Sequence, residues 1–126
     1  MNSINALQDV EGTEYPAGRR TRVLVGVDSP LQAEHFVQGL VVIHPNGSVP
    51  SHEHETEETY IILGGEGVMT VGEECRDVKR YDIVYIPPFV KHSLKNTGEN
   101  EMEMMFVYAP KMVAEHWAQE ETGQLH

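Results

Sequence analysis

The chain has 126 residues, with 9 Lys and Arg against 20 Asp and Glu, for a formal net charge of -11. That length fits one domain able to bury a core without disulfides, and the acidic balance excludes partners that need basic clusters, such as nucleic acid or an anionic membrane. A single cysteine, Cys75, rules out an intrachain disulfide and fits a reducing compartment.

The first residues, MNSINALQDVEG, have neither a basic n-region nor an apolar h-region. No apolar run approaches bilayer length, so the expectation is a cytoplasmic protein. Residues 1–20 read as an irregular N-terminal arm. Short apolar runs then follow, cut by turn residues, over 21–27, 36–44, 59–63, 67–71, 82–86, 92–96 and 102–108. They are rich in Val, Ile and Tyr, and the spacers hold Gly, Pro, Asn and Asp, which is the pattern of many short strands. An antiparallel sandwich or barrel over 21–110 is expected. Residues 111–126 read as a C-terminal helix and tail, with Pro110 before the helix and Gly123 after it. Asn46-Gly47-Ser48 matches a glycosylation acceptor but reads as a turn, and Gly64-Gly65-Glu66-Gly67 as a hairpin turn.

Residues 52–58, His-Glu-His-Glu-Thr-Glu-Glu, carry the densest run of coordinating side chains. In an extended chain successive side chains face opposite ways. His52 and His54 therefore share a face, and Glu58 keeps their parity. Imidazole nitrogen and carboxylate oxygen suit divalent first-row metals. A fourth ligand has to come from elsewhere, and His92, at the start of a strand behind the rigid Pro87-Pro88 turn, is the candidate. His35, His44, His116 and His126 lack partners at ligand spacing and read as ordinary histidines. Cys75, placed in a turn, has no histidine at useful spacing. Arg19, Arg20 and Arg22 read as surface charge. Met102, Met104, Phe106 and Tyr108 share a face that should point inward.

Two motifs resemble those of the cupins. The first is Gly47, four residues, His52-Glu53-His54, three residues, Glu58, six residues, Gly65. The second is Tyr81, five residues, Pro87-Pro88-Phe89, two residues, His92, three residues, Asn96. Tyr81 and Phe89 stand where the family has glycine, which bears on the turns and not on the ligands. The resemblance implies an all-β fold, an antiparallel double-stranded β-helix or jelly-roll barrel. It also implies a divalent transition metal (Mn, Fe, Ni or Zn) held by His52, His54, Glu58 and His92.

Such a site keeps open coordination positions, as catalytic metal sites do. The expectation is a metal-dependent enzyme acting on a small oxygenated organic substrate, by dioxygenase chemistry or by a redox-neutral isomerase, lyase or cyclase reaction. The alternative is a non-catalytic module that binds a metal or small ligand. Tyr60, Ile62, Leu94, Phe106 and Tyr108 should line the pocket, with the hydroxyls of Tyr60 and Tyr108 available for proton transfer. Exposed sheet edges and the resemblance together imply a homodimer.

Overall fold

The computed structural model describes residues 1–110. Among them are ten strands: β1 (Thr13–Tyr15), β2 (Arg19–Val25), β3 (Val37–Ile43), β4 (Ser48–His52), β5 (Glu57–Gly64), β6 (Glu66–Val71), β7 (Glu74–Lys79), β8 (Ile83–Ile86), β9 (His92–Asn96) and β10 (Met102–Ala109). The period of two is strictest in β10. Met102, Met104, Phe106 and Tyr108 are buried, and the residues between them are partly exposed. The same alternation turns Glu58, Tyr60 and Ile62 of β5 inward, with His92, Leu94 and Asn96 of β9.

The strands form two antiparallel sheets, ordered β1-β2-β3-β10-β5-β8 and β4-β9-β6-β7. Their inner faces enclose one apolar core that runs from Val37 and Ile43 through Ile62, Leu94 and Met104. Each such side chain contributes about 1.5–3 kcal/mol by leaving water. This is the expected jelly-roll architecture. No helix among the described residues is long and apolar enough to cross a membrane. The expected C-terminal helix, and His116 and His126 with it, lies outside the described residues.

Four details differ from the sequence reading. The arm is not wholly irregular: Thr13–Tyr15 pair with β2, and Arg20 and Arg22 bind it through the carbonyls of Glu11 and Val10 at 2.9 and 2.8 Å. Cys75 lies on β7 rather than in a turn. β7 buries only Val78, so its sequence carries no alternating apolar signal, as suits a charged edge strand. The Gly64–Gly67 stretch is a corner between sheets and not a hairpin, because β5 pairs with β10 and β8 while β6 pairs with β7 and β9. Finally, Arg19 is not surface charge. It begins β2 and is 2% exposed.

Two motif positions have a local explanation. A Cβ at Gly47 would collide with the carbonyl oxygen of Gly18, because the chain there is clamped by Ser48 N donating to Ala17 O and His44 N to Gly18 O. Tyr81 and Phe89 keep the left-handed backbone a glycine would adopt, at φ 75 and 64.

Candidate metal centre

Two sheets and one loop bring the four candidate ligands together. Pro50 cannot donate to a ladder, and the β4–β9 register shifts between Val49 and His52. The irregularity turns His52 into the barrel, opposite its cross-strand partner His92 on β9. His54 sits in the short connection before β5. Glu58 enters from β5, between Tyr108 of β10 and Ile86 of β8. His52 and Glu58 thus converge although the chain between them is not one continuous strand.

One ligating atom from each of the four residues lies within 4.8 Å of every other. His54 Nε2 is 3.1 Å and His92 Nε2 is 3.4 Å from Glu58 Oε1. The ring centroids are 4.3 Å apart for His52 and His92, 4.9 Å for His54 and His92, and 5.6 Å for His52 and His54. Exposure is low: 7% for His52, 6% for Glu58 and 1% for His92.

The outer nitrogens decide what the inner ones can do. His52 Nδ1 lies 2.7 Å from Pro50 O, His54 Nδ1 3.0 Å from Thr56 O, and His92 Nδ1 2.9 Å from Val90 O. A carbonyl only accepts, so each Nδ1 carries the proton and donates. Each Nε2 is left facing the common centre, where it can ligate a metal once deprotonated; in the metal-free protein His54 Nε2 donates to Glu58 Oε1 at 3.1 Å. His92 Nε2 is buried and reaches Glu58 Oε1 only at 3.4 Å, in a poorly aligned contact. Three buried or nearly buried imidazole nitrogens and one carboxylate, all turned to one point, fit a divalent transition metal.

Burial pushes the Glu58 carboxyl up, but hydrogen bonds and charge from His54 and His92 outweigh it and hold the group below its ordinary value. Burial likewise pulls His54 down, and Glu58 overrides it, leaving His54 above its ordinary value. The carboxylate form that a metal needs is therefore favoured before any ion binds.

The expected pocket residues are inside. Tyr60 and Tyr108 are each 3% exposed, and Ile62 and Leu94 are fully buried. The Tyr60 ring meets His92 edge-on at 6.0 Å, and the Tyr108 ring lies 6.2 Å from His54. Desolvation raises both phenols, with Glu58 adding to it, so both keep their protons at neutral pH.

Three contributors were missed by sequence reasoning. Thr56 Oγ1 lies 2.7 Å from His54 Nδ1 and helps orient that ring. Arg19 and Thr21 point inward beside Tyr60, His52 and Glu58. Burial pulls Arg19 down to about 10 against Tyr60, Tyr15 and Glu14, so it remains a cation at neutral pH. Parity counted backward from Thr21 would have placed Arg19 on the inner face. Asn96 is not a ligand: its amide donates to Ile43 O and Asn100 O at 2.9 and 2.8 Å, and Gly98 N donates to its Oδ1.

A family model described as Cupin domain matches residues 39–108, more than half of the chain. Over 76 residues the chain is 30% identical to a 5-nitrosalicylic acid 1,2-dioxygenase of Bradyrhizobium, covering 60% of this chain and 37% of that protein. Over 64 residues it is 38% identical to an oxalate-binding protein of Thermotoga maritima, covering 50% and 53% respectively. It thus spans about half or less of these relatives. An RmlC-like cupin structure from Shewanella frigidimarina superposes with a TM-score of 0.74 at 13% identity, covering 93% of this chain and 96% of the other.

Proposed function

The chain belongs to the cupin family, and on that premise we propose that it is a metal-dependent enzyme acting on a small oxygenated organic molecule. The observation that carries this reading is the convergence of three imidazoles on Glu58, each ring fixed by an Nδ1 hydrogen bond to a backbone carbonyl. His52, His54, Glu58 and His92 would hold a divalent ion such as Mn, Fe, Ni or Zn. When bound, such an ion supplies Lewis-acid polarisation of substrate oxygens and, if it is iron, affinity for dioxygen.

The chain's own groups do the rest. Glu58, kept ionised, offsets part of the cationic charge of the site. Tyr60 and Tyr108, kept protonated by burial, can donate a hydrogen bond or a proton to a developing oxyanion beside His92 and His54. The apolar wall of Ile62, Leu94 and Met104 excludes bulk water. The dioxygenase among the relatives supports oxygen chemistry, and the oxalate-binding protein supports the second reading, a binding module without turnover.

The deciding experiment is elemental analysis of untagged protein, followed by oxygen-consumption and product assays with the metal found. Near one metal per chain with turnover supports the enzyme. Metal without turnover on any oxygenated substrate class favours the binding module, and no metal even after reconstitution overturns the enzyme. We further propose that the protein works as a homodimer. The apolar side chains exposed near the β8 edge, Tyr81, Ile83, Tyr85 and Phe89, support that reading. Light scattering that shows only a 14.2 kDa species would defeat it.

A further inference from the structure

Among the described residues the two sheets end in four edge strands, and three of them are guarded against pairing with another chain. β1 has only three residues, one of them Glu14. β4 carries Pro50. β7 carries Glu74, Arg76, Asp77 and Lys79. β8 has no such guard: Ile83-Val84-Tyr85-Ile86 includes neither a charge nor a proline. It pairs with β5 on one side and with no strand among the described residues on the other. Ile83 and Tyr85, which alternate with the inward Val84 and Ile86, are 68% and 55% exposed.

The two ends of this edge carry opposite charge. Lys79 and Arg80, both exposed, lie just before β8, and the Arg80 guanidinium stacks 4.7 Å over the Tyr81 ring. Asp82 opposes them, with one carboxylate oxygen already accepting from Lys79 N at 2.9 Å. At the other end Glu57 sits one strand behind, because β5 pairs Glu58 with Ile86, and it accepts from Tyr85 Oη at 2.9 Å. Glu53 and Glu55 flank His54, whose carbonyl is held by Phe89 N, and Lys91 is the opposing charge there. The chain as a whole carries -11. Two copies therefore repel unless their contact is apolar and sets opposite charges together.

We propose that a second copy of the chain occupies this edge, with β8 antiparallel to the partner's β8 about a two-fold axis through Val84. Alternation restricts the register, because paired residues must turn to the same face. Centring on Val84 sets Ile83 against the partner's Tyr85, a β-branched and aromatic pair made twice on the outer face. Centring on Tyr85 instead sets Ile83 against the partner's Pro87, which has no N–H to give. Antiparallel pairing also brings Lys79 and Arg80 toward the partner's Glu57. The inference rests on the proposed homodimer, whose contact surface it names. Since β5 carries Glu58 and pairs with β8, one continuous sheet would join the two candidate metal centres.

The test is charge reversal in the untagged full chain, with the dimer constant read by sedimentation over a dilution series. Arg80→Glu sets like charges together at both ends of the edge and should weaken the dimer by about tenfold. Glu57→Arg should act likewise, and combining the two should restore most of the wild-type affinity. Ile83→Lys, which plants a charge on the edge itself, should weaken it more than either. With Cys75→Ser as background, Val84→Cys should form an intermolecular disulfide faster than Tyr85→Cys, and the reverse order overturns the register. A wild-type dimer that ignores Arg80→Glu and Ile83→Lys overturns this contact while leaving the homodimer standing. A wild-type monomer overturns both. If all four β8 amides of that monomer also resist hydrogen exchange, the occupant is another part of the same chain, such as residues 111–126. Should Glu57→Arg fail to fold, Arg80→Glu and Ile83→Lys decide alone.

Discussion

The amide of Phe89 donates to the carbonyl of His54 at 2.8 Å. A turn outside the strands thereby holds the loop that carries one candidate ligand. Phe89 makes this bond from a left-handed backbone at φ 64, with its side chain 67% exposed. That conformation costs a non-glycine residue about 1–2 kcal/mol, and glycine's extra unfolded-state entropy returns about 0.5–1 kcal/mol of it. Phe89→Gly should therefore stabilise the protein by up to about 1 kcal/mol. Phe89→Pro, which loses the donor and cannot adopt the backbone angle, should destabilise it. Urea midpoints check both, and a lower midpoint for Phe89→Gly refutes the strain argument.

Removing a ligand should remove the metal. His52→Ala and His92→Ala each take one of four donors, and bound metal should fall to about a tenth of wild type or less after dialysis. Thr56→Val leaves the backbone carbonyl on His54 Nδ1 and removes only the hydroxyl. Its loss should be smaller than for either alanine variant. Wild-type stoichiometry in both alanine variants would mean the ligands are misassigned.

Metal uptake should weaken in mild acid. Burial lowers His54, but Glu58 more than compensates and keeps it above the ordinary 6.5 in the metal-free protein. A proton therefore competes with the metal as pH falls, and the competition sets in above that value. Apparent affinity, measured by chelator competition from about pH 8 down to about pH 5.5, should fall steadily. A constant affinity over that range contradicts histidine ligation.

A second histidine should make stability depend on pH away from the site. His44 joins two carboxylates, with Nε2 2.9 Å from Glu14 Oε1 and Nδ1 2.7 Å from Glu101 Oε2. The hydrogen bond it donates to Glu14, then that to Glu101, raises it above 6.5. A raised histidine contributes its stability fully below the unfolded value and loses it as pH rises through the folded one. Partial exposure of all three groups keeps the effect below about 1 kcal/mol. His44→Gln should flatten the loss of thermal midpoint on going from about pH 6 to about pH 8, and an unchanged slope sinks the assignment.

Asn96 should matter for folding and not for metal. Asn96→Ala leaves the buried carbonyl of Ile43 and the partly buried one of Asn100 without their donor. The cost should be about 1–3 kcal/mol by chemical denaturation, with metal stoichiometry unchanged in the folded fraction.

Much of the molecule was legible because its signals are local. The alternation of Met102, Met104, Phe106 and Tyr108 marks β10 without help from the rest of the chain, and the His52, His54 and Glu58 spacing exposes most of the ligand set. What was illegible depends on distant partners. β7 exists because β6 pairs with it, while its own residues are charged and exposed. Arg19 looked like surface charge because nothing near it in sequence shows that the strand begins two residues earlier. The convergence of His52 on His92 needs the register shift beside Pro50, which no residue count reveals.

The three Nδ1 hydrogen bonds have one further consequence. Each aims its ring with a carbonyl no more than two residues away in the chain. Aim is therefore inherited with the ligand's own short segment and is independent of the wall opposite. A wall position such as Thr21 can change without touching any of these three hydrogen bonds. In this barrel, the lining of the void beside His52 and Glu58 and the aim of the candidate ligands can evolve as separate traits.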